Sequence, residues 1–448
     1  MQGETRDVTT RALRSTPTRW RWVLWALLAT GFLLVSFHRV TTAVLADDLT
    51  RAFDTTGAEL GLLHAAFFYI YAGLQLPAGV LVDRVGPRRV AGGGLAVMTL
   101  GVVGFALAPT YGIAFVSRAL LGLGGSVIYT ATLRFLASWY RPDEFASMTG
   151  WTVAASGVGG VLATTPLAVA VDAADWRAVL GVIGVGGLGL AIVTYLVVRD
   201  QPSDAGFEPL DGVKPPETET DIQTVLVNTK EIVRERETWL MGVMLFLVFG
   251  VNFTVLGLWG VPYIADLYDV SVQRASTFVF AGNVGYLLGS PLLGIVSDRI
   301  GRRTELILGS CVLFTLAYGL VFLLVTPPLL LIGVVLFVAL FVQGGTIINF
   351  TVAKERHDAS ASGTVTGTVN SIGYFGAAVF PALMGYTLDT YWTGETVAGA
   401  RVYTAAGYRV AFGIATAAGL AAVCCAAWLH YRESDADSWQ AVIPRLAD

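Results

Sequence analysis

Arg39 places a fixed positive charge inside a long apolar run, with Ser36 three residues before it and Thr42 three after. At helical spacing the three side chains share one face. A charge at mid-membrane depth costs several kcal/mol unless it is paired or hydrated, so it marks either an anion site or a structural ion pair. The planar guanidinium fork suits carboxylate or phosphate. Arg118 lies in another apolar run and is expected to serve structure or coupling ahead of substrate contact. Arg134, near a run's end, reads as an anchor or a partner for Asp83. No carboxylate falls clearly inside the core of any run. A proton-coupled process would therefore use His38 or His64, the groups able to titrate near neutrality. Neutral, hydrogen-bonded imidazoles are the competing reading.

Polar and aromatic residues recur at helical spacing in other runs. Tyr71 and Gln75 are four apart, Asn252, Trp259 and Tyr263 share a face, and Asn370 and Tyr374 are again four apart. With Arg39 and Asn283 they give an expected substrate-binding set: Arg39, Tyr71, Gln75, Asn252, Trp259, Asn283, Asn370 and Tyr374. Any one of them could instead be interhelical glue, typically worth about 0.6 kcal/mol.

The elements that must position these groups are membrane helices. Of 448 residues, 54% are hydrophobic and 14% charged, against about 25% charged in soluble domains. Twelve apolar runs, from Trp22–Ala46 to Ala405–His430, are each long enough to cross a bilayer. Most of the 29 Lys and Arg residues fall in alternate connections and the tails, while Asp47, Asp48, Asp54, Asp266 and Asp269 mark the opposite side. The positive-inside rule then puts both termini in the cytoplasm of a multi-pass cell-membrane protein. The first run exceeds a secretory signal's apolar core and reads as a retained helix. Cys311, Cys424 and Cys425 lie in apolar runs, with no disulfide or metal spacing.

A polar, proline-containing stretch divides the chain near its midpoint. The expected organisation is a tail over 1–21, a six-helix bundle over 22–198, a linker over 199–238, a second six-helix bundle over 239–431 and a tail over 432–448. The linker's second part has helical spacing and is expected to lie along the membrane surface.

One charged phrase occurs twice. Gly79-Val80-Leu81-Val82-Asp83-Arg84-Val85-Gly86-Pro87-Arg88-Arg89 is echoed by Gly294-Ile295-Val296-Ser297-Asp298-Arg299-Ile300-Gly301-Arg302-Arg303. Two copies half a chain apart indicate internal repeats. The first resembles the loop 2–3 signature of the major facilitator superfamily, and the second its degenerate copy. Arg118-Ala119-Leu120-Leu121-Gly122-Leu123-Gly124-Gly125 and Asp175-Trp176-Arg177 are also similar to that family's patterns. The resemblance implies an all-α fold of two six-helix bundles related by a pseudo-two-fold axis. It also implies a gate in which Asp83, Arg84, Asp298 and Arg299 latch the bundles, and contact between the fifth and eighth spans.

Phe37-His38-Arg39-Val40 resembles the first-span arginine of carriers in the anion:cation symporter branch, although His38 stands where aspartate is common. The function this implies is alternating-access transport of a small hydrophilic solute, an organic anion, by symport with a proton or sodium ion. The coupling residues would be His38, His64 and Arg118. A drug or sugar exporter, a nitrate-type porter and a non-transporting membrane sensor are the alternatives. No nucleophile–base pair, metal cluster or cofactor motif points to an enzyme, a cofactor or a metal. The expected partners are the bilayer and the solute, with no nucleic acid, and the expected state is a monomer.

Overall fold

The computed structural model describes residues 17–208, 213, 222–357, 361–397 and 400–442. Arg6, Arg11, Arg14, Pro209, Pro215, Pro216 and the chain after 442 lie outside the described residues. Ten of the described helices are long and apolar enough to cross a membrane, and two bent helix pairs bring the total to twelve. The expected twelve spans and the two six-helix bundles are present. Within the first bundle the third span (Pro87–Ala106) packs on the fourth (Tyr111–Trp139) and sixth (Trp176–Val197). Within the second, the ninth (Arg303–Leu324) packs on the twelfth, which begins at Ala405.

Three helix pairs make the most extensive described contacts across the seam between bundles. The second span (Gly57–Val85) runs along the eleventh (Ser362–Thr390), the first (Pro17–Val44) meets the seventh (Arg236–Tyr268), and the fifth (Pro142–Ala173) meets the eighth (Val272–Ile300). The last pair is the one the family resemblance implied. Both described chain ends lie at the face where the second span ends, called here the terminal end. The opposite face carries a small hairpin, strand β1 (Trp392–Val397) paired antiparallel with β2 (Ala400–Tyr403), and is called the hairpin end. The connector between bundles includes a helix over Ile222–Ile232 that packs against the eleventh span.

Breaks in regular helix occur where the spans approach the molecular centre. The second span bends by 55° between Gly73 and Gln75. Pro77 explains it: its nitrogen cannot donate to the Gly73 carbonyl, and its ring crowds that turn. The seventh span carries one π-turn, Val255–Trp259, which brings Gly257 against His64 of the second span. Such turns are common at functional sites.

Both copies of the repeated phrase end their spans at a glycine of positive φ. Gly86 and Gly301 adopt φ of +89° and +70°, a conformation that disfavours side chains. Close packing inside the first bundle also depends on a missing side chain. A Cβ on Gly122 would lie 2.3 Å from the Phe67 carbonyl oxygen, so the second and fourth spans meet backbone to backbone. Gly122→Val should therefore push these helices apart and cost on the order of 1–3 kcal/mol. Thermal unfolding of the purified protein in detergent should show a lower midpoint, and an unchanged midpoint would remove this contact from the fold's determinants.

Candidate functional site

Arg39 sits where the two bundles meet and is only 3% exposed. Its guanidinium carbon lies 5.0 Å from the ring centre of Tyr71, 5.2 Å from Tyr374, 5.4 Å from Phe253 and 5.9 Å from Phe67. Two of these rings come from the second span and one each from the seventh and eleventh, so both bundles enclose the charge. Nη1 donates to the Tyr374 hydroxyl at 3.3 Å, while Nε and Nη2 have no hydrogen-bond partner. Among the described residues no carboxylate lies within ion-pair distance of Arg39. A desolvated cation–π contact is worth about 2 kcal/mol, and a buried guanidinium without a counter-ion costs more than hydrogen bonding to one phenol returns. The cage is thus a cation site whose electrostatics favour an anion.

Arg118 is engaged differently. Nη1 donates to the His38 carbonyl at 3.0 Å and Nη2 to Thr42 Oγ1 at 3.2 Å, within the first bundle. Thr42 Oγ1 is also 3.0 Å from His64 Nδ1. Thr42 Oγ1 thus bridges the Arg118 guanidinium and the His64 ring. His64 thereby joins the first, second and fourth spans and touches the seventh at Gly257.

Different chemistry closes the seam on either side of the cage. At the hairpin end Asp389 of the eleventh span accepts from the Gly57 and Ala58 backbone N–H groups, both at 2.8 Å, and from Arg401 at 3.4 Å. Gly57 and Ala58 open the second span, so the carboxylate lies on a helix N-terminus, where orphan donors and dipole both favour it. Toward the terminal end, Asn370 Nδ2 donates to Gln75 Oε1 at 2.8 Å and Ser371 Oγ to the Ala72 carbonyl at 2.6 Å. Beyond this amide pair a cavity of about 410 Å³ is lined by Gln75, Gly79, Asp83, Tyr129, Lys354 and Asn370. Tyr71 and Tyr374 stand one helical turn behind the amides, so the pair separates the cavity from the Arg39 cage.

The model of the Major Facilitator Superfamily matches residues 27–381 and 260–445. The chain belongs to this superfamily. It is 23% identical over 402 residues to a probable hexose phosphate transport protein of Chlamydia pneumoniae, covering 85% of this chain and 88% of that protein. A probable sulfoacetate transporter of Cupriavidus necator is 24% identical, with 68% and 71% covered. The membrane sensor protein UhpC of Salmonella typhimurium is also 24% identical, with 84% and 87% covered. Among solved structures, a bacterial homologue of the human lysosomal transporter Spinster superposes with a TM-score of 0.73 at 17% identity, over 92% of this chain and 96% of that one. As in its superfamily, this chain is a membrane transporter fold and not an enzyme.

The superfamily fold brings some of the expected site residues together and separates others. Arg39, Tyr71 and Tyr374 form the cage, and Gln75 and Asn370 form the amide pair beside it. Asn252 is fully buried elsewhere: its amide donates to the Ala339 carbonyl and to Gln343, and accepts from Tyr318 at 2.8 Å. Those bonds tie the second bundle's own helices and leave no polar atom of Asn252 for the cage. Trp259 Nε1 donates to the Pro381 carbonyl at 3.1 Å near the hairpin end. Asn283 faces Gly160 of the fifth span across the seam and donates to the Val279 carbonyl. The His38 ring packs edge-on against Phe37.

The ion pairs described for two of the expected latch residues lie within single bundles. Asp83 pairs with Arg134 of its own bundle at 3.3 Å, and Asp298 faces Arg303 of its own bundle at 3.9 Å. Arg84 and Arg299 are exposed. Phe67 and Phe253 were not singled out in the sequence because an aromatic residue in an apolar span gives no polar signal. Asp389 lies at a span end, where a carboxylate is ordinary.

Backbone contact across the seam is specific to this arrangement of the bundles. A Cβ on Gly385 would lie 2.1 Å from the Gly57 carbonyl oxygen of the other bundle. Gly385→Val and Asp389→Ala should both favour opening at the hairpin end while leaving each bundle folded. On a background without native cysteines, Leu60→Cys at that seam should then label faster with an impermeant maleimide. Labelling equal to the parent in both variants would show that these contacts do not hold the seam.

The same seam should respond to pH. Asp47 and Asp266 line a small cavity there with Trp259, Arg401 and Tyr403. Burial pushes the Asp47 carboxyl above its ordinary range, outweighing the opposing pull of Arg51, and Asp48 adds to the rise. Opening would rehydrate Asp47 and lower its proton affinity, so protonation stabilises the closed seam and that stabilisation fades as pH climbs through the raised value. Measured relative to an exposed control cysteine, which removes the pH dependence of thiolate formation, labelling of Leu60→Cys should increase as pH climbs through that raised value, and Asp47→Asn should flatten the rise.

Proposed function

We propose that this protein is a secondary active transporter that carries a small organic anion across the cell membrane by alternating access, with Arg39 selecting the charge. The observation that carries this reading is a buried guanidinium with two unpartnered nitrogens, held between the two bundles and between two separate closures. Substrate sites in such folds lie near the midplane at the repeat interface. The named relatives for hexose phosphate and sulfoacetate support an anionic solute. The arginine-rich connections support a cytoplasmic terminal end. On this reading, separation of the amide pair would admit solute from the 410 Å³ cavity, and release of Asp389 would open the other side.

Uptake of labelled carboxylates, sulfonates and phosphates into proteoliposomes tests the reading. Arg39→Lys should weaken uptake, because lysine lacks the planar fork, and Arg39→Ala should reduce it to the background of empty vesicles. Wild-type uptake in the alanine variant would exclude Arg39 from recognition. Symport with a proton or sodium ion is the coupling that the first-span resemblance implies, and imposed pH or sodium gradients across the same vesicles decide between the two ions. The similarity to UhpC favours a second reading, a sensor that binds solute without moving it. Saturable binding with no uptake under any gradient would establish that reading in place of transport.

A further inference from the structure

The charge and the walls of the cage narrow the anion further, on the reading that Arg39 selects it. Counting cations comes first. Arg39 is the one cationic side chain in contact with the cage rings among the described residues. Arg118 is turned into the first bundle, where its two Nη atoms bond the His38 carbonyl and Thr42 and its guanidinium faces Phe105. Lys354 lines the cavity on the far side of the Gln75–Asn370 pair. One positive charge can neutralise one negative charge. A second negative charge on the solute would be desolvated without a counter-ion, which is strongly unfavourable in a low-dielectric site.

The walls speak to the rest of the solute. Phe67 stacks on Tyr71, Phe68 and Phe253 each stack on Tyr374, Phe249 meets Tyr374 edge-on and Tyr286 meets Phe253 edge-on. These surfaces match the face of a flat ring. They offer few hydrogen bonds: apart from the tyrosine hydroxyls, Gln75 and Asn370 already bond one another and Ser36, on the face of Arg39, already bonds Ser156. A polyhydroxylated body would lose its water without finding partners, a penalty that discriminates strongly against it.

We propose that the cage takes a singly charged anion with a flat, ring-bearing body, an aromatic carboxylate or sulfonate, in preference to a phosphate-ester dianion or a sugar acid. The guanidinium fork holds the carboxylate or sulfonate oxygens through Nε and Nη2, the Tyr374 hydroxyl completes the anion's hydrogen bonding, and the ring replaces the aromatic contacts that now cover the charge.

Calorimetric titration of the purified wild-type protein tests this with three probes. Benzenesulfonate and phenyl phosphate share a body and differ in charge, while glucuronate shares the single charge and differs in body. At about pH 7.5 benzenesulfonate should bind at least about tenfold more tightly than phenyl phosphate, because the ester's second ionisation, near pH 6, is then complete. Lowering the pH to about 5.5 should strengthen phenyl phosphate binding severalfold as it becomes a monoanion, and leave benzenesulfonate unchanged. Glucuronate should bind at least about tenfold more weakly than benzenesulfonate, since the cage cannot satisfy its hydroxyls. Tyr374→Leu should weaken benzenesulfonate and preserve its preference over phenyl phosphate.

Phenyl phosphate equal to benzenesulfonate at the higher pH, or glucuronate equal to it at any pH, overturns the proposal and leaves the anion reading standing. Binding of a neutral sugar with none of the three anions, or full benzenesulfonate affinity in a monodisperse Arg39→Ala variant, overturns the anion reading itself.

Discussion

A positive charge held in a low-dielectric interior without a counter-ion organises this molecule. Arg39 cannot be left against lipid, so it must face the seam between bundles. The aromatic rings that offset its desolvation must then come from both sides of that seam, as Phe67 and Tyr71 do from one bundle and Phe253 and Tyr374 from the other. The breaks in helix regularity, the Pro77 bend and the π-turn at Val255–Trp259, fall on the same helices that furnish these rings. The packing of the two bundles is coupled here through one residue's solvation.

The two closures around the cage use opposite kinds of partner. At the hairpin end a carboxylate meets backbone donors at a helix start, and at the terminal side two neutral amides meet each other. A charge-assisted bond is roughly twice as strong as a neutral one. The repeated phrase, by contrast, keeps its described ion pairs inside each bundle, Asp83 with Arg134 and Asp298 with Arg303. In this arrangement the phrase also ends a span of each bundle at a glycine of positive φ, Gly86 and Gly301.

Much of this architecture was legible in the sequence, for physical reasons that differ by residue. Apolar length fixes the number of spans, because the bilayer sets a minimum. Arg39 was legible because charge is expensive in lipid, and Tyr71, Gln75, Asn370 and Tyr374 because helical spacing aligned them with one another. Asn252 shows where the reasoning stops: a buried amide signals a hydrogen bond, yet spacing alone cannot say whether its partner is a solute or Gln343. Phe67 and Phe253 carry the opposite lesson. Their role depends on a cation contributed by another helix, and nothing local to them records it. His64 was singled out for titration, and its bond to Thr42 and contact with Gly257 also make it part of a chain linking four spans.

The seal at Asp389 has an asymmetry in heritability. Its donors are main-chain amides of Gly57 and Ala58, present whatever residue other than proline is encoded there. Genetic drift on the second span can therefore erode the seal only through shape, whereas a single codon change at Asp389 removes its acceptor. One partner of the contact is written in the side chains and the other in the polymer itself, so the two sides of the seam evolve under unequal constraint.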